Sequence, residues 1–330
     1  MAEGAHLRAG VDAPLIPALV DVWNAAWGRT FPLRIALLRQ NTLGDPHFDP
    51  EGLVVAQEGP AGPLLGWALA KAAGHPFGPP GCGWIGALVV HPAAQGQGIG
   101  TALLRRAEEF LKSRGKNRAV LGGGPAHFFP GVPVEPPDRG GGRALSFFER
   151  RGYRFSGTAY DLHRSLADYR TPPRVEAVLA AHPGVTLRPL GPGERRPLLG
   201  FLAEVFPGRW TEDIRRFLEE GGEISDILGI LDGAAVLGFA HLHPPGSRRI
   251  GPSVAWARKS ERLGGIGPLG IAPSLRGRGL GLALLDRALL RLREFGATQV
   301  VVDWTVLLDF YGRLGFVPIR EYRHGARDLR

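Results

Sequence analysis

Two stretches of the chain share one pattern of apolar and polar positions. In residues 88–111 and 268–295, a short apolar run leads through a proline into a glycine-rich turn and then a long mixed segment. Apolar residues that recur every three or four positions predict an amphipathic helix, and the short apolar runs predict strands. The helix positions are Ile99, Leu103, Leu104, Ala107, Phe110 and Leu111 in the first stretch and Leu280, Leu284, Leu285, Ala288, Leu292 and Phe295 in the second. Each stretch is therefore a predicted strand, tight turn and helix.

The two turns have the composition of an anion site. They consist of Gln95, Gly96, Gln97, Gly98, Ile99 and Gly100 in the first stretch and of Arg276, Gly277, Arg278, Gly279, Leu280 and Gly281 in the second. Glycines let the backbone approach a ligand closely, and free N–H groups at a helix start favour a pyrophosphate. The Gly-x-Gly-x-Gly spacing differs from the dinucleotide fingerprint, and the Gly-Lys-Ser/Thr of a P-loop is absent.

A second pair of landmarks follows the two turns in the same order. Residues 146–153 read SFFERRGY and residues 309–316 read DFYGRLGF. Together the motifs resemble those of the GNAT acetyltransferases, Arg/Gln-x-x-Gly-x-Gly/Ala followed by Phe-Tyr-x-x-x-Gly-Phe. Two ordered landmarks in two copies indicate an internal repeat that covers nearly the whole chain. The resemblance implies an α/β (α+β) fold of two tandem GNAT domains, each a mixed, mostly antiparallel sheet flanked by helices, as in two-domain members similar to mycothiol synthase.

The repeat sets the expected domain boundaries. We expect an N-terminal domain over 1–166, a linker over 167–183 in which Pro172 and Pro173 break regular structure, and a C-terminal domain over 184–330. Between the landmarks the copies are offset by 181 residues at Gln95 and Arg276 but by 163 at Gly152 and Gly315, so the first copy carries 18 extra residues. They lie within 122–142 and form either a wall of the first site or a cover for a sheet edge or the other domain.

The resemblance also implies which residues bind and react. Acetyl-CoA is the expected cofactor, held by the residues of both turns and by the strand positions Leu88, Val90, Leu269 and Ile271. In the family the tyrosine of the second landmark often protonates the departing thiolate; here it is Tyr311 in the second copy, whereas the first copy has Phe148. A tyrosine of pKa about 10 donating to a thiolate of about 8.5 works uphill by roughly 2 kcal/mol. No general base and no metal site are predicted.

Composition limits the remaining possibilities. The net charge of +9 could indicate nucleic acid, but only four of 40 basic residues are lysine and no run of five basic residues occurs, which argues against it. The single cysteine, Cys82, the absence of an apolar run of membrane-spanning length and an N-terminus without an apolar signal core favour a cytoplasmic protein. Glu219, Glu220, Glu223 and Asp226 either attract a cationic amine or form a solvated helix end.

The expected function is N-acetyl transfer. The resemblance implies an acyl-CoA-dependent N-acetyltransferase that moves acetyl from acetyl-CoA to the amine of a small molecule or peptide. Catalysis is expected mainly in the C-terminal half, because only that half has the tyrosine. The alternative is a CoA-binding sensor or scaffold without turnover. The repeat makes the chain an internal pseudo-dimer, expected as a monomer or a homodimer.

Overall fold

The computed structural model describes residues 5–10, 14–74, 76–134, 142–258 and 261–329. They form two compact units: unit 1 lies within Met1–Ala159 and Glu321–Arg330, and unit 2 is within Tyr160–Arg320. Both units are mixed α/β structures, as the sequence predicted. Two strands, β7 (Arg154–Ser165) and β13 (Val317–Asp328), are divided between the units.

Unit 1 is a sheet with helices on both faces. Its other elements are β1 (Ala5–Ala9), α1 (Leu15–Trp27), α2 (Ile35–Asn41), β2 (Leu53–Glu58), β3 (Leu64–Lys71), β4 (Cys82–Val90), α3 (Ile99–Ser113), β5 (Arg118–Leu121), β6 (Val132–Pro133) and α4 (Arg143–Glu149). The strand order is β1-β2-β3-β4-β5-β13, antiparallel except for the parallel pair β4–β5. Gly66 on β3 faces Leu103 of α3, and the next residue, Trp67, donates its ring N–H to Leu19 of α1. Because neighbouring strand residues point to opposite faces, α1 and α3 cover opposite faces of the sheet.

Unit 2 repeats this arrangement. Its other elements are α5 (Pro173–Ala180), β8 (Thr186–Pro189), α6 (Arg195–Val205), α7 (Arg209–Glu219), β9 (Ile227–Asp232), β10 (Ala235–His243), β11 (Leu263–Ile271), α8 (Leu280–Glu294), β12 (Gln299–Thr305) and α9 (Leu308–Gly312). The strand order is β8-β9-β10-β11-β12-β7, again antiparallel except for one parallel pair, β11–β12. Gly264 on β11 faces Leu292 of α8, whereas His241 on β10 contacts Phe217 of α7.

Each copy gives its closing strand to the other unit. In unit 1 the strand beside β5 is the end of the chain, with Gly325 opposite Leu121 and Asp328 opposite Arg118. In unit 2 the strand beside β12 is Tyr160–Ser165, which belongs to the first copy in sequence. The compact units therefore differ from the expected segments 1–166, 167–183 and 184–330. A hydrophobic pattern predicts that a segment is a strand but not which distant strand it pairs with.

The segment expected to be an irregular linker contains a helix. Pro172 and Pro173 begin α5 instead of preventing it, because proline is well tolerated in the first turn, where its missing N–H has no intrahelical partner. Helix α5 packs on α8, and Val175 is fully buried there. The last helix, α9, is short and spans Leu308–Gly312.

The two helices that follow the glycine turns are buried to different extents. Helix α3 buries one face, as its pattern predicted. Helix α8 also buries Leu282, Leu289 and Asp286, because residues 169–178 cover it; the Tyr169 hydroxyl donates to Asp286 at 2.6 Å. Phe295, predicted on the buried face, is instead 36% exposed beyond the helix end, under the guanidinium of Arg291.

Candidate active site

Both glycine turns adopt the conformation that an anion site needs. Gly96 and Gly98 have φ of 79° and 84°, and Gly277 and Gly279 have φ of 76° and 81°, left-handed values that favour glycine. Helices α3 and α8 begin at the next residue in each case. Backbone N–H groups at the start of a helix, together with the helix dipole, stabilise phosphate groups. The geometry of both turns therefore fits the pyrophosphate of a coenzyme.

The two landmarks of each copy meet at the third glycine of its turn. A Cβ on Gly100 would lie 3.3 Å from the ring of Phe147 and 3.6 Å from Val90. A Cβ on Gly281 would lie 3.6 Å from the ring of Phe310 and 3.5 Å from Ile271. In each unit the strand end, the glycine turn and the aromatic residue of the second landmark thus line one groove.

In unit 1 this groove opens into a cleft of about 870 Å³. The predicted cofactor residues that line it are Leu88, Val90, Gln95, Gly96, Gly98, Ile99 and Gly100, and Trp27, Arg143, Phe147, Phe148 and Arg151 add further walls. The side chain of Gln97 donates instead to the Ala93 carbonyl at 3.3 Å. The size of the cleft and the turn at its edge fit an extended, phosphorylated cofactor.

In both units the parallel strand pair separates before the turn. The register of β4 with β5 runs from Cys82 to Ile85, and that of β11 with β12 runs from Leu263 to Ile266. Beyond these points β4 and β11 continue with their antiparallel neighbours β3 and β10. The predicted positions Leu88, Val90, Leu269 and Ile271 lie on the separated parts, where an acyl chain could enter between the strands.

Helix α5, which lies between the two copies in sequence, packs beside the second glycine turn. A Cβ on Gly279 would lie 2.6 Å from Val178 of α5. Arg174, on the same helix, donates to the Arg313 carbonyl that follows α9. Helix α5 therefore borders the second turn, whereas a Cβ on Gly277 would meet no atom within 4 Å.

On the α1 face of unit 1, aromatic rings fill the space above the sheet. Phe128 and Phe129, from the long segment after β5, are buried against Trp23 with ring centroids 5.4 Å away in each case. Trp67 of β3 stacks on Trp23 at 5.8 Å. The described part of residues 122–142 thus covers a face of the sheet, which neither expectation stated, and residues 135–141 lie outside the described residues. The role of this segment stays a prediction.

A buried ion pair fastens this segment. The Lys71 ammonium lies 2.6 Å from the Asp45 carboxylate and donates to the carbonyls of Asn41, Pro125 and Ala126 at 2.8–3.3 Å. Both charged side chains are almost fully buried. A buried charge that is paired and fully hydrogen-bonded holds its neighbours in one geometry.

The corresponding space in unit 2 is polar. Strand pairing places His243 opposite Gly265, as Lys71 lies opposite Trp84 in unit 1. His241 and His243 are buried with ring centroids 4.3 Å apart. Burial lowers the pKa of His243 to about 4 and that of His241 well below its ordinary value, so both rings are neutral at pH 7. Since the Gly267 carbonyl can only accept, His243 Nε2–H donates to it, at 3.0 Å.

Tyr311, the predicted proton donor, lies on this same unit and is only 6% exposed. Its ring packs on Phe310 and Phe316 with centroids 4.9 and 5.7 Å away. Burial, and then the negative charge of Asp303, raises the pKa of Tyr311. In unit 1, Phe148 occupies the same place, between Phe147 and Tyr153. A phenylalanine has no proton to donate.

Sequence reasoning missed Asp303, whose charge acts on Tyr311, and a second carboxylate, Asp161, whose charge acts on Asp303. Asp303 lies on β12, and Asp161 lies on the exchanged strand β7 and is 3% exposed. Burial, followed by the charge of Asp161, raises the pKa of Asp303 to about 7. One signal was available, because Asp303 is a carboxylate inside an otherwise apolar strand, VVVDWT. No sequence signal placed Asp161 beside it.

The acidic stretch considered for the acceptor amine is a paired helix end. Glu219 pairs with Arg215, and Glu220 pairs with Arg216 and Arg249. Of the two readings, a solvated and paired helix end fits the structure.

Within the described ranges, no helix is both long and apolar enough to cross a membrane.

The fold and the turns define a two-unit CoA-dependent acyltransferase, and comparison with known proteins agrees. The model of the acetyltransferase (GNAT) family matches residues 16–127 and 198–316, more than half of the chain. The chain therefore belongs to the GNAT family and is an acetyl-CoA-dependent N-acetyltransferase of the tandem type.

Individual relatives and solved structures also resemble the chain. The chain is 31% identical over 245 residues to a mycothiol acetyltransferase of Geodermatophilus obscurus, covering 69% of each chain. It resembles, with a TM-score of 0.87 and 25% identity, a GCN5-related glucosamine N-acetyltransferase region of a fungal multi-domain GH3 β-N-acetylglucosaminidase, where 98% of this chain covers 38% of that one. A tandem GNAT protein of clavulanic acid biosynthesis shares the fold, with a TM-score of 0.67, 15% identity and 99% coverage of both chains.

Proposed function

We propose that the protein transfers acetyl from acetyl-CoA to a polar primary amine, and that the transfer takes place in unit 2. The observation that carries this is the difference between the spaces beside the two cofactor grooves. In unit 1 the α1 face of the sheet is covered by Phe128, Phe129 and Trp67. In unit 2 two neutral histidines are buried on the corresponding face, and the charge of Asp303 acts on Tyr311.

Strand registers support the assignment to unit 2. Val302 pairs with Ile266 in the position where Leu121 pairs with Ile85, so the next residues, Asp303 and Gly122, correspond. Unit 1 therefore has glycine where unit 2 has Asp303, in addition to Phe148 where unit 2 has Tyr311. We infer that unit 1 retains a cofactor groove without the groups that transfer protons.

Tyr311 is the proposed acid for the departing thiolate. Its raised pKa makes donation harder than for a free tyrosine, so the site has to offset more than the roughly 2 kcal/mol expected from ordinary pKa values. Loss of the negative charge of Asp303 would lower that cost, because that charge helps to raise the Tyr311 pKa. The turn residues of unit 2 and the separated strand positions Leu269 and Ile271 are the proposed cofactor contacts.

For the acceptor we propose an amine carried by a hydroxyl-rich molecule of the amino-sugar class. One of the similar solved structures is named as a glucosamine N-acetyltransferase region. In unit 2, His241 Nε2 and Ser253 Oγ are buried polar atoms without a hydrogen-bond partner among the described residues. Buried polar atoms of this kind favour a polar ligand or water over an apolar one.

A panel of amines assayed for thiol release tests the proposal. We expect acetyl-CoA turnover with glucosamine or a glucosamine glycoside to exceed that with cyclohexylamine, which has a similar ring but no hydroxyls, by at least about tenfold. Turnover with lysyl peptides alone would contradict the acceptor class. Tight CoA binding without release of free thiol for any amine would favour the sensor or scaffold.

A further inference from the structure

Strand β12 has a bulge at the point where it enters the site. It pairs with β7 through Val302 and Leu162 and again through Thr305 and Tyr160, so it carries one more residue than its partner in between. Within the bulge Trp304 has φ of 46°, a left-handed value that is strained for a bulky side chain. Bulges re-aim side chains, and strained residues are concentrated at functional sites.

The bulge directs Asp303 into the gap between the separated strands. Its Oδ1 lies 3.2 Å from the position that a Cβ would have on Gly267, which follows the last residue of β11 paired with β12. Glycine at 267 leaves room for the carboxylate there. The Asp303 side chain is partly buried. The proposed cofactor contacts Leu269 and Ile271 lie on the same separated part of β11.

Asp161 faces the bulge from the exchanged strand. Its Oδ1 accepts from the backbone N–H of Trp304 at 3.4 Å, and its Oδ2 accepts from Arg320 at 3.3 Å. Asp161 thereby contacts the residue next to Asp303 and adds a negative charge beside it. Arg209 of α7 stacks over the Trp304 ring at 3.8 Å on another side of the bulge.

We propose that Asp303 is the general base of the acetyl transfer and that Asp161, supplied by the first copy through strand exchange, is its positioning residue. This inference rests on the proposed function of unit 2. Asp303 takes one proton from the acceptor ammonium, and the neutral nitrogen attacks the thioester carbon. The carbon–sulfur bond breaks as Tyr311 protonates the sulfur, the second N–H proton of the adduct restores Tyr311, and Asp303 releases its proton to solvent.

The charges around Asp303 suit this role. The groups that act on it are the carboxylates of Asp161 and Asp213, the guanidinium of Arg209 and the phenol of Tyr311, and neutral His243 contacts the Gly267 carbonyl. Burial and the carboxylates raise the Asp303 pKa to about 7, and Arg209 opposes them. A base with a pKa near the working pH is both ionised and basic enough to accept a proton.

Base and acid are coupled through the same charge. The carboxylate of Asp303 helps to raise the pKa of Tyr311. When Asp303 takes a proton from the amine, that negative charge disappears and the Tyr311 pKa falls. Protonation of Asp303 therefore makes Tyr311 a stronger acid for the step in which the thiolate leaves.

The test is the pH dependence of kcat/KM in the full-length protein with acetyl-CoA and the best amine of the panel. We expect Asp303→Asn to lower kcat by about 10²- to 10⁴-fold, the usual size of a general-base effect, and Asp303→Glu to restore part of it. The control is Asp309→Asn, an exposed carboxylate six positions further along, which should change kcat less than twofold.

Asp161→Asn distinguishes a positioning residue from a structural one. Removing its negative charge makes Asp303 easier to ionise, so the acidic limb of kcat/KM should move from near pH 7 to lower pH by about one unit. If Asp161→Asn lowers kcat but the acidic limb of kcat/KM does not move, Asp161 is a structural residue and its proposed positioning role is wrong. If the wild-type protein turns over and folded Asp303→Asn loses less than about threefold in kcat, Asp303 is not the general base and the proposed function still holds. If the wild-type protein does not turn over, the proposed function is wrong.

Discussion

The two units have the same arrangement of strands and helices. They differ in the side chains that cover the sheet. In unit 1 the space between the sheet and α1 is closed by stacked aromatic rings and the Lys71–Asp45 pair. In unit 2 two neutral histidines lie between the sheet and α7, and elsewhere in the unit the charge of Asp303 acts on Tyr311. Both units keep the glycine turn. We therefore propose that both copies retain the cofactor groove, whereas only unit 2 keeps the groups that react.

The largest expected effect tests which unit reacts. Tyr311→Phe removes the hydroxyl but keeps the buried ring and its contacts with Phe310 and Phe316, so the fold should be retained. We expect kcat to fall by about 10²- to 10⁴-fold with little change in acetyl-CoA affinity, measured by steady-state thiol release and calorimetry.

The matched control is Phe148→Tyr, which gives unit 1 the missing hydroxyl. It should add no activity, because unit 1 still has Gly122 in the position of Asp303 and a filled acceptor space. If Phe148→Tyr restored turnover to the Tyr311→Phe protein, the two interiors would not differ in the way described. A loss below about threefold in Tyr311→Phe, with chemistry rate-limiting, would remove Tyr311 as the acid.

The next effect concerns the ion pair that closes unit 1. Lys71→Met leaves the Asp45 carboxylate and three carbonyls buried without their donor, and we expect the unfolding free energy to fall by about 3–5 kcal/mol in urea denaturation. Asp45→Leu in the same chain should recover part of the loss. Arg105→Met, on the exposed face of α3, should cost less than about 1 kcal/mol.

The same variant asks whether unit 1 matters for turnover. In folded Lys71→Met protein, kcat should stay within about twofold of wild type, because the proposed reacting groups are in unit 2. A large fall in kcat without a loss of folding would mean that the segment held by Lys71 takes part in the reaction, and the separation of the units would be wrong.

The smallest effect separates the two cofactor turns. Gly96→Glu and Gly277→Glu are a matched pair, with φ of 79° and 76° and no atom within 4 Å of the new Cβ. Gly279 is less suitable, because its Cβ would meet Val178. We expect two CoA sites per wild-type chain by calorimetry, and either variant should weaken its own site by at least about tenfold through strain and repulsion of phosphate.

Only Gly277→Glu should raise the KM for acetyl-CoA, since the proposed site of turnover is in unit 2. If Gly96→Glu raised it equally, unit 1 would contribute to the reaction. A wild-type titration that fits one site would mean that one turn no longer binds the cofactor.

Sequence patterns were sufficient for the family and for the positions of both glycine turns. Periodic apolar residues, left-handed glycines and the Phe-Phe/Phe-Tyr landmarks are local features, each encoded in a few consecutive residues, and the fold and family they indicated are confirmed. The tyrosine and the turn residues remain predictions as functional groups. The structure brings each turn together with its landmark, which local motifs alone could not show.

Tertiary structure decided the rest, for reasons of distance and burial. Trp304 and Asp161 are 143 residues apart and meet only because the copies exchange closing strands, and strand partners are not encoded in the strand's own pattern. The raised pKa of Asp303 depends on burial and on that same distant carboxylate. The glycine turns could be read from the sequence because a positive φ is a property of one residue, whereas the carboxylate pair required the packed sheet.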